Sequence, residues 1–434
     1  MTVSKFFILN KLLTHNVRLF LLWGGAVWIV MHASLVNASE GKNLNILQIH
    51  GFLSQGYVNT LGSNNDVFGD SSRGRGSFDF REIGVNASYR PLTNLQFSGQ
   101  LLSRQAGEDS KGGIRVDYGF VDYTAFTTET RELGIRLGRT KNPLGLYNDT
   151  RDVPFTRPSI LLPQSIYFDR TRNLGLASDG AQFYGESREE WGDITVQFGV
   201  VFPQVGDRAT EWAILNRDRL GHLTTRLSYI GRMIYERDGG RIRLGISGAQ
   251  VNVGYDSAAN LNDPLNEAGS FQFTPIIFSA QYNTERWSFT SEYALRHIMR
   301  KDFGSALGKV DTTGESFYFQ GIYRFSPSWE AVLRYDVYFA DRSDRDGGDF
   351  FAQIQQAAPQ LAKHYPAYSR YAKDLTVGLR WNVTPSIMLR AEYHHVNGTG
   401  WLSQLDNRHP VRPDFPAFTD RHWNLFAFQA SYRF

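Results

Sequence analysis

The sequence predicts an all-β protein, a transmembrane antiparallel β-barrel of about sixteen strands. Three observations predict it. From Ile46 onward, stretches of about 8 to 12 residues alternate apolar and polar side chains with a period of two. Short turns and long polar segments alternate between these stretches. Beyond the first forty residues no apolar run approaches the roughly 20 residues of a spanning helix, and a closed barrel is the other structure that can cross a membrane.

The first forty residues have the features of an export signal. A basic start precedes an apolar stretch, residues 19–31, which is too short to span a membrane comfortably. The small residues Val36 and Ala38 then occupy the positions that a signal peptidase reads. We therefore expect a signal peptide, residues 1–38, followed by a single β-barrel domain, residues 39–434, in the bacterial outer membrane. An uncleaved N-terminal anchor is the alternative. The basic residues are Lys5, Lys11 and Arg18.

Composition narrows the classes of function. The chain carries 46 Lys and Arg against 43 Asp and Glu, and residues 1–38 hold three of the bases and no acid, so the mature chain is balanced. A nucleic-acid partner, which would need a basic patch on the mature protein, therefore gains no support. The chain has no cysteine, which excludes a disulfide framework and a thiolate metal site. We expect no cofactor, no metal and no nucleic-acid partner.

Turn lengths set the expected topology. Seven short turns and eight long polar segments alternate along the chain, which indicates about sixteen antiparallel strands with both termini at the short-turn end. The short turns lie near 91–94, 127–132, 187–193, 238–240, 283–286, 326–328 and 382–386. The long segments lie near 62–76, 103–113, 140–179, 202–221, 252–270, 299–314, 340–373 and 397–422.

The alternation also assigns side chains to the two faces of the wall. Residues 287–296, 329–339 and 426–434 each have one apolar face and one polar face. A soluble β-sandwich alternates too, but its outward face would be the polar one. Around the 326–328 turn, Phe325 and Trp329 are expected to face each other outside, among the interfacial aromatic residues, and Arg324 and Glu330 to pair inside.

Charged residues of the inward phase are mostly arginines, which favour anions in a pore. The expected lumen-wall arginines are Arg115, Arg136, Arg226, Arg232, Arg243, Arg296, Arg324, Arg334, Arg380 and Arg390. The expected inward acids are Glu82, Asp117, Glu292, Glu330, Asp336 and Glu392. Some of these arginines are expected to form structural ion pairs instead.

Two segments carry a resemblance to a known family. The C-terminal FAFQASYRF resembles the terminal strand signal by which the assembly machinery recognises outer-membrane barrels, and LGRTKNPLGLYNDTRDVPFTRPSILLPQSIYFDRTRNLG is a third long loop stiffened by prolines. With the barrel pattern from about residue 44 to the end, the chain resembles the sixteen-stranded porins of Gram-negative bacteria. The aromatic residues of the assembly signal are Phe426, Phe428, Tyr432 and Phe434.

The resemblance implies that the third loop folds into the barrel and forms the narrowest point of a channel. Its apolar residues, such as Phe155, Ile160 and Tyr167, would be unusual on a water-exposed loop, which favours burial against a wall. A plug over the mouth or a subunit contact is the alternative. The charged residues expected at the constriction are Lys141, Arg151, Arg157, Arg170, Arg172, Asp149, Asp152 and Asp169.

The expected function is passive diffusion of small polar or anionic solutes, with a modest anion preference. A phosphate-selective or organic-anion porin is the alternative within the family. The resemblance also implies a homotrimer in contact with outer-membrane lipids and lipopolysaccharide, assembled by the barrel-assembly machinery.

Two other classes are an outer-membrane barrel enzyme and a non-conducting scaffold or adhesin. The chain has no GxSxG elbow, no HExxH helix and no phosphate-cradling glycine loop, so we assign no catalytic residue.

Overall fold

The computed structural model describes residues 47–72, 74–215, 221–257, 268–301, 309–409 and 416–434. The expected signal peptide lies outside the described residues. Seventeen strands are present: β1 Leu47–Asn59, β2 Ser77–Leu92, β3 Leu95–Ala106, β4 Ser110–Thr127, β5 Arg131–Lys141, β6 Ala177–Glu189, β7 Gly192–Pro203, β8 His222–Thr225, β9 Ser228–Arg237, β10 Ile242–Asp256, β11 Gly269–Asn283, β12 Trp287–Lys301, β13 Val310–Ser326, β14 Trp329–Phe339, β15 Tyr371–Thr384, β16 Ile387–Gly398 and β17 His422–Arg433.

The strands form one antiparallel sheet that closes on itself, because β1 pairs with both β2 and β17. The short strands β8 and β9 both pair with β10 and share one position in the wall. The seventeen strands therefore occupy sixteen positions, and the predicted all-β barrel of about sixteen strands is confirmed. Because the first and last strands pair with each other, the sheet closes, and a closed sheet is one of the two structures that can cross a membrane.

The two faces of the wall divide as the alternation predicts. On β14, Leu333 and Tyr335 are exposed on the outside, whereas Arg334 and Asp336 are buried on the inside. β17 behaves in the same way, with Phe426 and Phe428 exposed and Gln429 buried. An apolar outer band and a polar interior follow from this period of two.

One connection is shorter than expected. The segment 103–113 was predicted as a long loop, but β3 runs to Ala106 and β4 starts at Ser110. The ladder continues through this polar segment, since Gln105 pairs with Lys111. Polar side chains suit strand ends that extend beyond the hydrocarbon layer, so polarity alone did not mark a loop here.

The 326–328 turn gives one confirmed pair and one correction. Arg324 opposes Glu330 and lies 3.6 Å from it, as expected. The outward pair of Phe325 and Trp329 is absent, because a bulge places Ser326 opposite Trp329. Aromatic packing at this end runs along the wall instead, where Trp329 stacks on Trp381 with ring centroids 5.1 Å apart.

In the described parts of the long connections there are three helices: α1 Arg172–Leu176, α2 Arg208–Leu215 and α3 Gly348–Ala357. Shorter 3-10 turns occupy Pro154–Thr156, Ala362–His364 and Ala367–Arg370. Among the described residues, no helix is long and apolar enough to cross a membrane.

Candidate functional site: the third loop and the inner wall

The third loop, residues 142–176 between β5 and β6, packs against the inner wall. Its two ends meet where Asn142 N donates to Leu176 O at 3.0 Å. From there the loop reaches several strands: Gly145 N donates to Ser247 on β10 at 2.8 Å, and Ser165 N donates to Asp336 on β14 at 3.2 Å. Each partner faces inward, so the loop crosses the interior of the barrel.

The apolar side chains of the loop are buried, as their composition suggests. Ile160, Leu161 and Leu162 are 1%, 2% and 4% exposed, and Phe155 and Tyr167 are also buried. Ile160 and Leu161 belong to a core cluster with side chains of β1, β2, β16 and β17. The loop therefore has its own hydrophobic attachment to the wall, in addition to its polar bonds.

Glu292 of β12 binds the loop without a cation. Its carboxylate accepts hydrogen bonds from Tyr167 OH at 2.6 Å, Tyr318 OH at 2.9 Å, Ser279 Oγ at 2.6 Å and Leu146 N at 3.0 Å. A buried carboxylate is stable only when its oxygens are hydrogen-bonded, and four donors supply that here. The sequence assigned Glu292 to the inner wall but could not indicate these partners.

Glu392 of β16 holds the tip of the loop. Its carboxylate accepts from Ile160 N and, at 3.2 Å, from Leu161 N. Behind it, His394 Nε2 lies 3.4 Å from Glu392, and His394 Nδ1 lies 2.9 Å from Asp374 on β15. These buried side chains link the loop to two neighbouring strands, and sequence reasoning missed the contribution of His394.

An ion-pair network joins the loop to β2, β3, β4 and β5. On one side, Lys141 lies between Asp117, at 2.6 Å, and Asp152, which also pairs with Arg172. Arg172 continues the network to Asp169 at 3.1 Å.

On the other side of the network, Asp169 contacts Arg104 at 2.9 Å, and Arg104 contacts Glu82 at 3.3 Å. Glu82 then pairs with Arg157 of the loop. Arg151 completes the network 3.7 Å from Asp169. Arg104 was missed by sequence reasoning because it lies in the segment predicted as the second long loop.

The network gives a specific correction to the predicted constriction. Arg151, Arg157 and Arg172 are only 4%, 4% and 6% exposed and lie in ion pairs, so they are not free charges facing a permeating anion. The counter-charges come from Glu82 and Asp117 on the wall as well as from the loop. Asp149 pairs instead with Arg232 on β9, and Arg170 stands apart from the network, bonded to Tyr338 at 3.1 Å.

The network fixes the charge states of the loop carboxyls. Burial raises the pKa of Asp169, but the guanidinium groups of Arg104, Arg172 and Arg151 outweigh it and bring that pKa down to about 2. Burial likewise opposes ionisation of Asp152, yet Arg172 and Lys141 hold its pKa well below the usual range. Both groups are therefore carboxylates at neutral pH.

The wall arginines fall into two groups. Five of them have carboxylate partners. Arg136, Arg243 and Arg380 pair with Asp122 at 2.9 Å, with Glu236, and with Glu330 at 3.8 Å. Arg324 also pairs with Glu330, and Arg232 pairs with Asp149 of the third loop. The second group bonds only to neutral acceptors: Arg115 to Asn173, Arg296 to Phe339 O at 3.0 Å, Arg334 to Ser159 Oγ at 2.8 Å and Arg390 to Ser159 O at 2.8 Å.

Arg226 does not line the lumen. It lies between β8 and β9, where the strand phase shifts: Leu223 is buried inside on β8, whereas even-numbered residues such as Ile230 are inside on β9. The Arg226 side chain lies beside Gly254, on the face opposite buried Leu223 and its partner Tyr255. The sequence-based assignment carried the inward phase of β9 back across this break, and it therefore placed Arg226 on the wrong face of the wall.

At the height of the loop, the interior is packed around the whole circumference. Each of the sixteen positions carries an inward side chain that is less than 9% exposed. One such residue from each position is Ser54, Glu82, Gln100, Asp117, Thr140, Gln182, Val201, Ile230, Ser247, Ser279, Glu292, Tyr318, Arg334, Asp374, Glu392 and Gln429. The third loop packs against several of these side chains, so it occupies part of the space that sixteen strands enclose.

Solved structures of outer-membrane proteins share this architecture. The barrel aligns with an anion-selective porin from Comamonas acidovorans over 90% of this chain and 100% of that one, with a TM-score of 0.52 and 13% identity. It aligns with OmpF of Salmonella typhi over 92% and 100%, with a TM-score of 0.51 and 13% identity. For OmpT, an outer membrane protein of Vibrio cholerae, coverage is 92% and 100%, the TM-score 0.53 and identity 10%. The chain has the fold of the outer-membrane porins.

No family model matches the chain, and no curated protein matches it. The likeness to porins is therefore one of fold, carried by strand number, closure and pairing. Within the described ranges, no group of three or more His, Asp or Glu side chains is placed to hold a metal ion. The chemistry of the porin-like interior lies in its arginines and carboxylates.

Proposed function

We propose that this chain is an outer-membrane porin that admits small polar solutes, with a modest preference for anions. The observation that carries the proposal is the closed barrel of sixteen positions with a charged interior. A barrel of this size encloses more space than its wall side chains fill, which separates it from narrow barrels with packed lumens. The third loop supplies the remaining filling and so sets the width of any solute path.

The anion preference is supported by the arginines that lack a carboxylate partner. Arg296, Arg334 and Arg390 bond to backbone carbonyls and neutral side chains, so none of them has a carboxylate as its direct partner, although nearby carboxylates such as Asp336 and Glu392 offset part of their charge. Fixed positive charge raises the local concentration of anions in a pore. The paired arginines of the loop network contribute little to this field, because each lies beside a carboxylate.

A planar-bilayer measurement under a potassium chloride gradient tests the preference. The sign of the reversal potential should report anion selectivity, and the effect should be largest at low salt because screening acts over roughly 8 Å at physiological ionic strength. A reversal potential of the cation-selective sign would refute the preference.

Liposome swelling separates a channel from a barrel enzyme or a non-conducting scaffold, neither of which admits sugars.

A second candidate is a channel that conducts only when the third loop moves. The continuous ring of buried inward side chains favours it. Steady current at low voltage would support the first candidate. A barrel that is silent at low voltage, but opens in discrete steps at higher voltage, would support the second.

The remaining parts of the proposal concern export and assembly. We propose cleavage after Ala38, recognition of the C-terminal strand by the barrel-assembly machinery, and a homotrimer surrounded by lipid and lipopolysaccharide. A trimer form of the Vibrio cholerae OmpT is among the structures of this fold, which supports the trimer. Phe426 and Phe428 are exposed on the outer face, as residues of a lipid-facing strand should be.

Replacing Phe434 by Asp should reduce insertion into the outer membrane while leaving export intact. Unchanged insertion would mean that Phe434 is not part of the assembly signal.

A further inference from the structure

We propose that Arg170, Arg296 and Arg370, together with Tyr338, form a binding site for a small oxyanion at the long-loop end of the interior. These residues are called the arginine cluster below. Arg170 belongs to the third loop, Arg296 and Tyr338 lie near the long-loop ends of β12 and β14, and Arg370 directly precedes β15. The proposal deepens the proposed function, because it names where a channel of this kind would first bind its anion.

Two aromatic rings organise the cluster. The Arg296 guanidinium lies 4.5 Å from the ring centroid of Tyr338 and 4.9 Å from that of Phe168. The Arg170 guanidinium lies 5.7 Å and 5.3 Å from the same two centroids, and it also donates to Tyr338 OH at 3.1 Å. Contact with the aromatic rings holds the two guanidinium groups close together, and the N–H groups that are not bonded to the protein, such as Arg296 Nε, remain available to a ligand.

Arg370 adds a third positive charge. Its carbonyl accepts from Ala340 N at 2.8 Å, which places it next to the end of β14. Its guanidinium lies 4.5 Å from the ring centroid of Phe350 on α3. Two guanidinium groups thus contact one phenol, and Arg370 lies next to the strand end that carries this phenol.

The arginines of the cluster have no paired carboxylate among the described residues. In the parts of the chain that the structure describes, no carboxylate lies within ion-pair distance of these three arginines. Arg296 is 6% exposed, bonds to the carbonyls of Glu315 and Phe339, and its Nε has no hydrogen-bond partner. Two carboxylates offset part of the charge from beyond ion-pair distance: Asp336, which is itself bonded to Ser165 N, and Asp341, near Arg370.

The contrast with the loop network is what points to a ligand. Every arginine of that network lies beside a carboxylate, whereas here like charges are held together, which costs energy unless an anion lies between them. A cavity of about 20 Å³ on another side of Arg170 is lined by Asp109, Asp169 and Asp406, which would repel an anion. The anion is therefore placed on the side of Arg296 and Tyr338.

The chemistry selects an oxyanion over a halide. A guanidinium presents parallel N–H donors that match two oxygens of a carboxylate or phosphate, and charge-assisted bonds of this kind are strong. Chloride can accept from the same donors, but as a single atom it cannot present two oxygens to the parallel N–H groups of one fork. Inorganic phosphate and succinate are therefore suitable probes, and they distinguish a phosphate ligand from a carboxylate ligand.

Calorimetric titration of the full-length mature barrel in detergent at low ionic strength tests the proposal. The wild type should bind phosphate or succinate, and R170Q and R370Q should each weaken binding about tenfold or more. R170K should keep part of the affinity, because it keeps the charge and loses only the fork. R131Q, at the exposed Arg131–Glu189 pair of the short-turn end, is the control and should bind like the wild type.

Variants are compared only after heat-modifiable migration shows that each has folded. Wild-type affinity in folded R170Q and R370Q, or no binding of either anion to the wild type, would overturn the site. Calorimetry does not depend on conduction, so a barrel that binds phosphate but carries no current would refute the channel and leave the site standing. An anion-selective channel that binds neither phosphate nor succinate would refute the site and leave the proposed channel function standing.

Discussion

Glu82 illustrates how a charged side chain is held inside this barrel. It is buried, and it has two guanidinium partners, Arg104 at 3.3 Å and Arg157. In a low-dielectric interior the pairing mainly repays the cost of burying the charges, so the pair adds little net stability but is costly to break. The same holds for Asp152 and Asp169, which are also buried beside positively charged partners.

Replacing Glu82 by Gln should therefore loosen the third loop. Arg157 and Arg104 would lose a buried counter-charge, and we expect the free energy of unfolding to fall by about 3 kcal/mol. Unfolding in lipid vesicles followed by tryptophan fluorescence measures this. Glu186→Gln removes a carboxylate from the exposed pair with Arg188 and should change little. Equal stability of the wild type and E82Q would show that the network does not hold the loop.

Acid should release the loop in a defined range. The pKa of Asp169 is about 2 in the folded protein, below the value of about 3.9 expected in an unfolded chain. Because the folded pKa is the lower one, the stabilisation is fully present above about pH 4 and is lost as the pH falls toward 2, on the order of 2 kcal/mol in all. The difference in unfolding free energy between the wild type and Asp169→Asn should vanish over that range, and a difference independent of pH would contradict the assignment.

The sequence predicted some of these residue pairs and missed others for a physical reason. Arg324 and Glu330 flank one tight turn, so their pairing follows from register alone. Arg157 and Glu82 are 75 residues apart, and nothing local selects one partner among the inward acids. The sequence assigns many arginines to the inward face, but which guanidinium groups pair with a carboxylate depends on the folded loop.

At the scale of elements, the third loop behaves as a separable insert. Its ends are joined by the bond from Asn142 N to Leu176 O, so a short linker can close the gap without straining β5 or β6. Replacing residues 143–175 by four Gly and Ser residues should leave a folded barrel whose single-channel conductance is several-fold higher, because water would fill the vacated width. Unchanged conductance would mean that the loop does not limit the solute path.

Strand prediction succeeded where period and turn length agreed and failed where the chain breaks the period. The 103–113 segment was polar on both faces, so strand and loop could not be told apart there. The break between β8 and β9 shifts the inward phase by one residue, and this shift reversed the assignment of Arg226. A one-residue shift moves a side chain to the other face, so such errors are confined to breaks and bulges.

At the scale of the molecule, export should produce a chain that begins at Ser39. The basic, apolar and small-residue segments of residues 1–38 motivate this, and N-terminal sequencing of the purified protein checks it. The same material should fractionate with the outer membrane and migrate faster on gels before heating than after. Recovery in the soluble periplasm would refute the membrane assignment.

The contacts of the third loop also order the events of folding. Ile160 N binds Glu392, 232 residues later in the chain, and Arg390 binds Arg157 O across 233 residues. Such bonds have a very high contact order and cannot form until β16 has joined the sheet. The loop therefore docks last, into a barrel that is already closing, and mutations such as E82Q should leave the rate of barrel closure unaltered while accelerating the undocking of the loop. Pulse-chase assembly assays, read by heat-modifiable migration for closure and by protease protection of the loop for docking, would resolve the two steps.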